Sequence, residues 1–185
     1  MNVYDFDGTI YDGDSTVDFF LFALKCKPSL ICYIPRQARG FLLYVLKQIN
    51  RTALKEYFFS FLSGIDAENL TKDFWVQNHH KIYKWYLDQQ QPDDIIISAS
   101  PKFLLQPLCS RFGFRHLIAS DVDPETGMFN GENCHGQEKV KRLESEYNVN
   151  HIDSFYSDSQ SDLPLAQIAD NAFLVVDGNI SKWDL

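Results

Sequence analysis

The 185 residues carry 17 Lys and Arg against 25 Asp and Glu, a formal charge of −8, which argues against broad binding to a nucleic-acid backbone, where a basic footprint is required. With 45% hydrophobic, 15% aromatic and 23% charged residues, the chain can build a sizeable packed core and is not disordered. Its length fits one domain, or one core with a modest insertion.

The chain is expected to begin with a short strand over Asn2, Val3 and Tyr4, ending in Asp5-Phe6-Asp7-Gly8-Thr9. From Ser15, read as a cap, to Gln91 the sequence reads as helix after helix: Pro28 opens one, Pro35 kinks or ends it, Thr52 caps Ala53 to Ser63, and Asp66 caps a long helix running to Gln91. The apolar run Phe41 to Ile49 is assigned to core packing rather than to an apolar pocket. Ile95-Ile96-Ile97 is a buried parallel strand ending at Ser98. Pro101 then starts a helix that Gly113 stops. His116 to Ser120 is a strand, Asp121 to Asn133 an irregular hairpin, and Gly136 precedes a helix with Val140, Leu143 and Tyr147 inward. Ile152 to Tyr156 is a strand ending at Ser157-Asp158, Leu163 to Ala169 a helix, and Ala172 to Val176 the last strand. Strand and helix alternate on either side of one helical insert, the pattern of a parallel sheet.

Cys26, Cys32, Cys109 and Cys134 lie far apart with no Cys-x-x-Cys pair, so neither a zinc cage nor a disulfide framework is expected. No basic, apolar leader precedes the first strand, and the greasiest region, Pro28 to Ile49, is interrupted by Pro35, Arg36, Gln37 and Arg39, short of the roughly 20 residues of a spanning helix. The expectation is a cytoplasmic protein with no transmembrane segment, a monomer or homodimer.

If the strands are parallel, Asp5, Ser98 and Asp158 converge at their carboxyl ends, where ligands bind in open α/β sheets. Asp5 and Asp7 would share a face, and two carboxylates that close repel unless a cation lies between them or one keeps its proton. A divalent metal is the natural answer. Gly8 lets the backbone turn, and its amide with that of Thr9 could point at an anion. One carboxylate can be a covalent nucleophile in phosphoryl transfer and its neighbour a general acid and base. Ser98, backed by the helix start at Ser100-Pro101, can hold a phosphate oxygen. Lys139 is the best placed cation, with Lys102, Lys141 and His135 as rivals. Asp158 is the next metal ligand by the oxygen-only preference of Mg²⁺, and Asp162 an acceptor behind it that orients water or a ligand.

Taken in order, Asp5-Phe6-Asp7-Gly8-Thr9, Ser98, Lys139 and Asp158 to Asp162 resemble the haloacid dehalogenase-like (HAD) hydrolase superfamily over nearly the whole chain. Ile97-Ser98-Ala99-Ser100-Pro101 and Ser157-Asp158-Ser159-x-x-Asp162-Leu163-Pro164 look more narrowly like its phosphoserine phosphatase-like branch, subfamily IB, with a helical C1 cap. The resemblance implies an α/β Rossmann-like three-layer sandwich, with a core over residues 1–13 and 92–185 and a helical cap over 14–91 acting as a mobile lid. It implies a Mg²⁺-dependent phosphomonoesterase on a small phosphorylated metabolite, phosphoserine-like or other. In that scheme Asp5 attacks phosphorus, Asp7 is acid and then base, and Asp5, the Asp7 carbonyl and Asp158 hold the metal, with Asp162 behind. Gly8, Thr9, Ser98, Ala99 and Lys139 surround the phosphate. The dehalogenases usually lack the second acid, so Asp7 speaks for phosphoryl chemistry. An acidic cap residue and a later arginine hold the amino acid in phosphoserine phosphatases; Asp14 fits the first, and Arg36, Arg39 and Arg51 are candidates for the second. Alternatives are a lipid-phosphate (phosphatidylglycerophosphate-like) phosphatase, a phosphotransferase or mutase, and a non-catalytic phosphoester-binding protein.

Overall fold

In the computed structural model, which describes residues 1–184, the apolar strands form one six-stranded sheet in the order β3-β2-β1-β4-β5-β6. β1 (Asn2–Tyr4) lies between β2 (Ile95–Pro101) and β4 (Ile152–Ser157), with Val3 opposite Ile95 on one side and Phe155 on the other. β3 (His116–Ser120) and β5 (Ala169–Val176) extend the sheet outward, all in parallel. β6 (Asn179–Lys182) adds an antiparallel edge that the sequence reading lacks. β2 runs past its expected end at Ser98, its register irregular from there to Pro101, and β5 begins three residues before Ala172.

Between β1 and β2 every regular element is helical, but several ends differ from expectation. α1 (Ser15–Cys26) is capped by Asp14, not Ser15: the carboxylate accepts the N–H groups of Thr16 and Val17, an anion at the positive helix end. Pro28 opens only a 3-10 helix, Pro28–Tyr33. Pro35 stands in the first turn of α2 (Ile34–Val45), where a missing N–H has no partner to lose, and so starts a helix it was expected to break. Asn50, not Thr52, caps α3 (Arg51–Phe59), its Oδ1 accepting the Ala53 N–H at 2.8 Å, and a 3-10 helix, Ser60–Gly64, follows. Asp66 caps α4 (Ala67–Asn78) as expected. The long helix onward to Gln91 is broken at His79–Ile82 before α5 (Lys84–Gln89), because that backbone serves the segment after β1: Tyr83 N–H donates to Ile10 O at 2.8 Å and Asp12 N–H to Lys81 O at 2.9 Å.

α6 (Lys102–Phe112) ends at left-handed Gly113, α7 (Gln137–Tyr147) follows Gly136, and α8 (Leu163–Ala166) is shorter than expected, preceded by a 3-10 turn over Gln160–Asp162. Asp121 to Asn133 is the irregular hairpin, bridged between Val122 and Phe129 and turned by the Asp123 carboxylate, which accepts the Glu125 and Thr126 N–H groups.

The sheet sorts its side chains with period two. Val3, Ile95, Ile97 and Phe155 join Leu143 of α7 and Leu165 of α8 in one apolar cluster. Tyr4 and Ile96 join Leu104 and Leu108 of α6 in the other, which continues without a break into Phe19 of α1, Phe74 and Trp75 of α4 and Tyr86 of α5. Much of the helical insert is thus a layer of the core. Trp75 Nε1 donating to Leu104 O at 2.6 Å ties that layer down.

Candidate active site

β1 is only three residues long, so its carboxyl end places Asp5 and Asp7 at the rim of the sheet. The Asp5 N–H still donates to Tyr156 O at 2.9 Å, as a continuation of the β4 pairing. Asp5 Oδ1 accepts Lys139 Nζ at 2.6 Å, and the same ammonium donates to Asp162 Oδ2 at 2.6 Å, all three side chains being buried. Lys139 reaches them from the first turn of α7. Of its rivals, Lys102 is exposed, Lys141 is exposed and pairs with Glu138 at 3.6 Å, and His135 lines the cavity without reaching Asp5. Burial lifts the Asp5 carboxyl above its ordinary range, with Lys139 pulling the other way. Burial also works against the Lys139 ammonium, but Asp5 and Asp162 together outweigh it and its pKa rises. The positive charge is therefore permanent at neutral pH.

Asp7 has a different environment. Its Oδ1 accepts the Ser15 N–H at 2.7 Å, and its Oδ2 accepts Ser100 Oγ at 2.5 Å and, at 3.4 Å, Ser98 Oγ. Burial and then the charge of Asp14 raise its pKa, against these hydrogen bonds. Two acids two residues apart thus have different surroundings, Asp5 paired with a lysine and Asp7 held by a backbone N–H and two serines, while burial raises the pKa of both.

Ser98 is fully buried and does not line the cavity; its Oγ also accepts the Ser100 N–H at 3.0 Å, while Ala99 and Ser100 face the open space. The amides of Gly8 and Thr9 do not point at an anion. The loop curls back on itself, so Gly8 N–H donates to Gly13 O at 2.9 Å and Thr9 N–H to Phe6 O at 3.3 Å, and the Thr9 hydroxyl accepts the Asp158 N–H at 2.9 Å. Gly8 has φ +71, and any Cβ there would overlap the Asp158 carboxylate. The glycine is needed for the close approach of Asp158 as well as for the turn.

Asp158 follows β4, and burial followed by the nearby Asp162 raises its pKa. Asp162 receives Ser157 Oγ at 2.9 Å on Oδ2, while its Oδ1 is buried with no partner among the described residues. The Asp5 and Asp158 carboxylates both line the cavity, and oxygen donors of this kind suit a hard divalent cation such as Mg²⁺.

These groups form the floor of a cavity of about 700 Å³, whose roof belongs to α2 and α3. Asp14 and Arg51 line it, but the Asp14 carboxylate is engaged in capping α1. Arg36 and Arg39 are exposed and do not line it, since α2 turns them outward and Arg36 lies over the Tyr57 ring at 6.0 Å. Two lining residues escaped the sequence reading. Ser100 was read only as a helix cap. Lys55 of α3 donates to Ala99 O at 2.7 Å and Asn133 Oδ1 at 3.0 Å, and burial lowers its pKa to about 8, against the attraction of Asp7. Its one sequence signal is the helical spacing that aligns it with Arg51 and Phe59 on the cavity side.

No curated protein matches the sequence. Among solved structures, a protein of unknown function from Bordetella pertussis Tohama I superposes with TM-score 0.73 at 18% identity, over 93% of this chain and 87% of that one. A phosphoserine phosphohydrolase-like protein from Francisella tularensis gives 0.61 at 13%, over 96% and 89%. A probable phosphoserine phosphatase from Vibrio cholerae gives 0.60 at 13%, over 92% and 55%. At these identities the likeness shows a common fold. The sequence profile of the haloacid dehalogenase-like hydrolases matches residues 3–167, from β1 through α8, and so takes in every acid and lysine at the rim. The chain therefore belongs to the haloacid dehalogenase-like hydrolase family.

Proposed function

We propose that the protein is a phosphomonoester phosphatase working through an aspartyl-phosphate on Asp5, with Mg²⁺ held by Asp5, Asp158 and the Asp7 carbonyl. The observation that carries this reading is the contrast in partners: Asp5 is bonded through one oxygen to Lys139, whereas Asp7 accepts only the Ser15 N–H and the Ser98 and Ser100 hydroxyls. An oxygen of Asp5 forms a bond to phosphorus as the ester P–O bond breaks, and Asp7 gives its proton to the departing alkoxide. Asp7, now a carboxylate, takes a proton from water as the water oxygen attacks phosphorus. The Asp5–phosphorus bond breaks, inorganic phosphate leaves, and Asp7 is again an acid. Lys139 offsets charge on the phosphoryl oxygens and on Asp5 throughout. The bound cation would supply charge neutralisation between the carboxylates and the phosphate.

The fold shared with phosphoserine phosphatase-like proteins supports the same chemistry. Of the arginines considered for gripping an amino acid only Arg51 lines the cavity, and the Asp14 carboxylate is engaged in capping α1. The test is hydrolysis of a soluble aryl phosphate with release of free phosphate. Turnover is expected with Mg²⁺, none in excess chelator, and a loss of at least about 10⁴-fold in kcat for Asp5→Asn, which removes the nucleophile at almost constant shape. Turnover retained by a folded Asp5→Asn protein would end the proposal.

A further inference from the structure

The outer side of α2 is the least covered apolar surface of the molecule. Phe41, Leu42, Val45 and Leu46 are 63%, 57%, 58% and 56% exposed, and seven of the fourteen large apolar side chains left exposed among the described residues lie between Ile31 and Leu46. The sequence pattern assigns this run to core packing, and the structure corrects that. α2 packs mainly on α3, with Gly40 its one buried residue and so close to Tyr57 that a Cβ would overlap it. The greasy stripe is left facing out.

Two further observations say what covers it. Between residues 28 and 64 the exposed basic side chains are Arg36, Arg39, Lys47 and Arg51, with Lys55 turned into the cavity, and the one acid in that stretch is Glu56, in a chain whose net charge is −8. The exposed stripe also continues into the catalytic cavity: Ile34, Ala38 and Phe41 form part of its wall, and Phe41, Tyr44 and Val45 line a shallow depression beyond. A second copy of the chain would bring like basic charges together on a self-complementary interface. An anionic bilayer satisfies both features at once, taking the apolar side chains at the acyl boundary and the basic ones at the head groups.

We propose that α2 is a docking helix that seats the protein on an anionic membrane surface, and that the cavity receives the phosphomonoester head group of a lipid from that surface. The second half rests on the phosphatase reading; the first does not. In this arrangement the phosphate reaches down to Asp5 and Lys139 while the acyl part stays along Ile34, Ala38 and Phe41.

The full chain is floated with vesicles of phosphatidylcholine alone and of phosphatidylcholine mixed with phosphatidylglycerol. Binding to the anionic vesicles is expected to be stronger by about tenfold or more, to fall with added salt, and to drop by a similar factor in Leu42→Glu and Leu46→Glu, neither of which lines the cavity. Both variants should hydrolyse a soluble aryl phosphate as the parent does, while hydrolysis of phosphomonoester lipids in the same vesicles falls with binding. Absence of vesicle binding, or binding untouched by both variants, overturns the docking. So does a dimer in sedimentation that the variants split, which would assign the stripe to a second copy. Turnover of the aryl phosphate with none of any phosphomonoester lipid overturns the lipid half alone. No turnover of either, with vesicle binding intact, counts against the phosphatase reading and not against the docking.

Discussion

Lys55 brings a titratable cation from the helical insert into the cavity, beside Ala99. Two of its three N–H groups are taken by Ala99 O and Asn133 Oδ1, which leaves one for a ligand. Its pKa is lowered to about 8, so the side chain is charged below that pH and neutral above it, whereas Lys139 stays charged throughout. Affinity for an anionic substrate should therefore fall as pH rises through about 8. In kcat/KM for a soluble aryl phosphate, the parent is expected to show this alkaline limb and Lys55→Arg to lose it. Lys55→Met should be lower by about 10- to 100-fold already at pH 7, the worth of a charge-assisted hydrogen bond. An unchanged alkaline limb in Lys55→Arg would remove Lys55 from substrate binding. Asp5, Asp7, Lys139, Asp158 and Asp162 are legible in the sequence because each polar group stands just past an apolar strand or in a first helical turn. Lys55 is not legible, since a lone lysine on an amphipathic helix reads as solvated until the fold shows what covers it.

At the scale of elements, the helical insert is not uniform. α1, α4 and α5 belong to the same apolar cluster as the sheet face, whereas α2 touches mainly α3 and the turn before it. α3 is tied to the hairpin after β3 by the bonds of Thr52 to Glu132, Lys55 to Asn133 and the Phe129 N–H to Glu56, and by Phe59 packed beside Phe129. Leu30, Phe59, Phe61 and Leu62 share the sheet-face cluster too, so any lid motion is expected to be concentrated in α2, far narrower than the whole segment 14–91. Hydrogen exchange checks this: the amides of α2 should exchange faster than those of α4, whose Trp75 is tied to α6. Equal protection along α2 and α4 would mean that the insert moves, or stays, as one body. The helices themselves are legible from period and composition. Their boundaries are less so, because whether Pro35 starts or stops a helix depends on where the preceding 3-10 turn ends. β6 is invisible in sequence because Asn179-Ile180-Ser181-Lys182 holds one apolar residue and stays exposed.

For the whole molecule, the uneven distribution of charge and grease matters more than the totals. A net −8 and, among the described residues, the absence of any helix long and apolar enough to cross a membrane describe an unremarkable acidic domain, yet half of its exposed large apolar side chains lie between Ile31 and Leu46, beside the cavity that Arg51 and Lys55 line. Composition averages this away, and the periodic pattern of α2 cannot say which way its apolar face points. The sheet order has a consequence of another kind. The short central strand that leads into Asp5 finds its partners only in β2 and β4, far along the chain, while each helix of the insert closes its backbone bonds within itself. Loops that long are slow to close and are closed late. On refolding from denaturant, helical signal should return first and phosphatase turnover only with the slowest phase, so that the chain is already largely helical while it is still chemically inert. Recovery of turnover together with the first helical signal would show instead that the three-residue strand nucleates the fold.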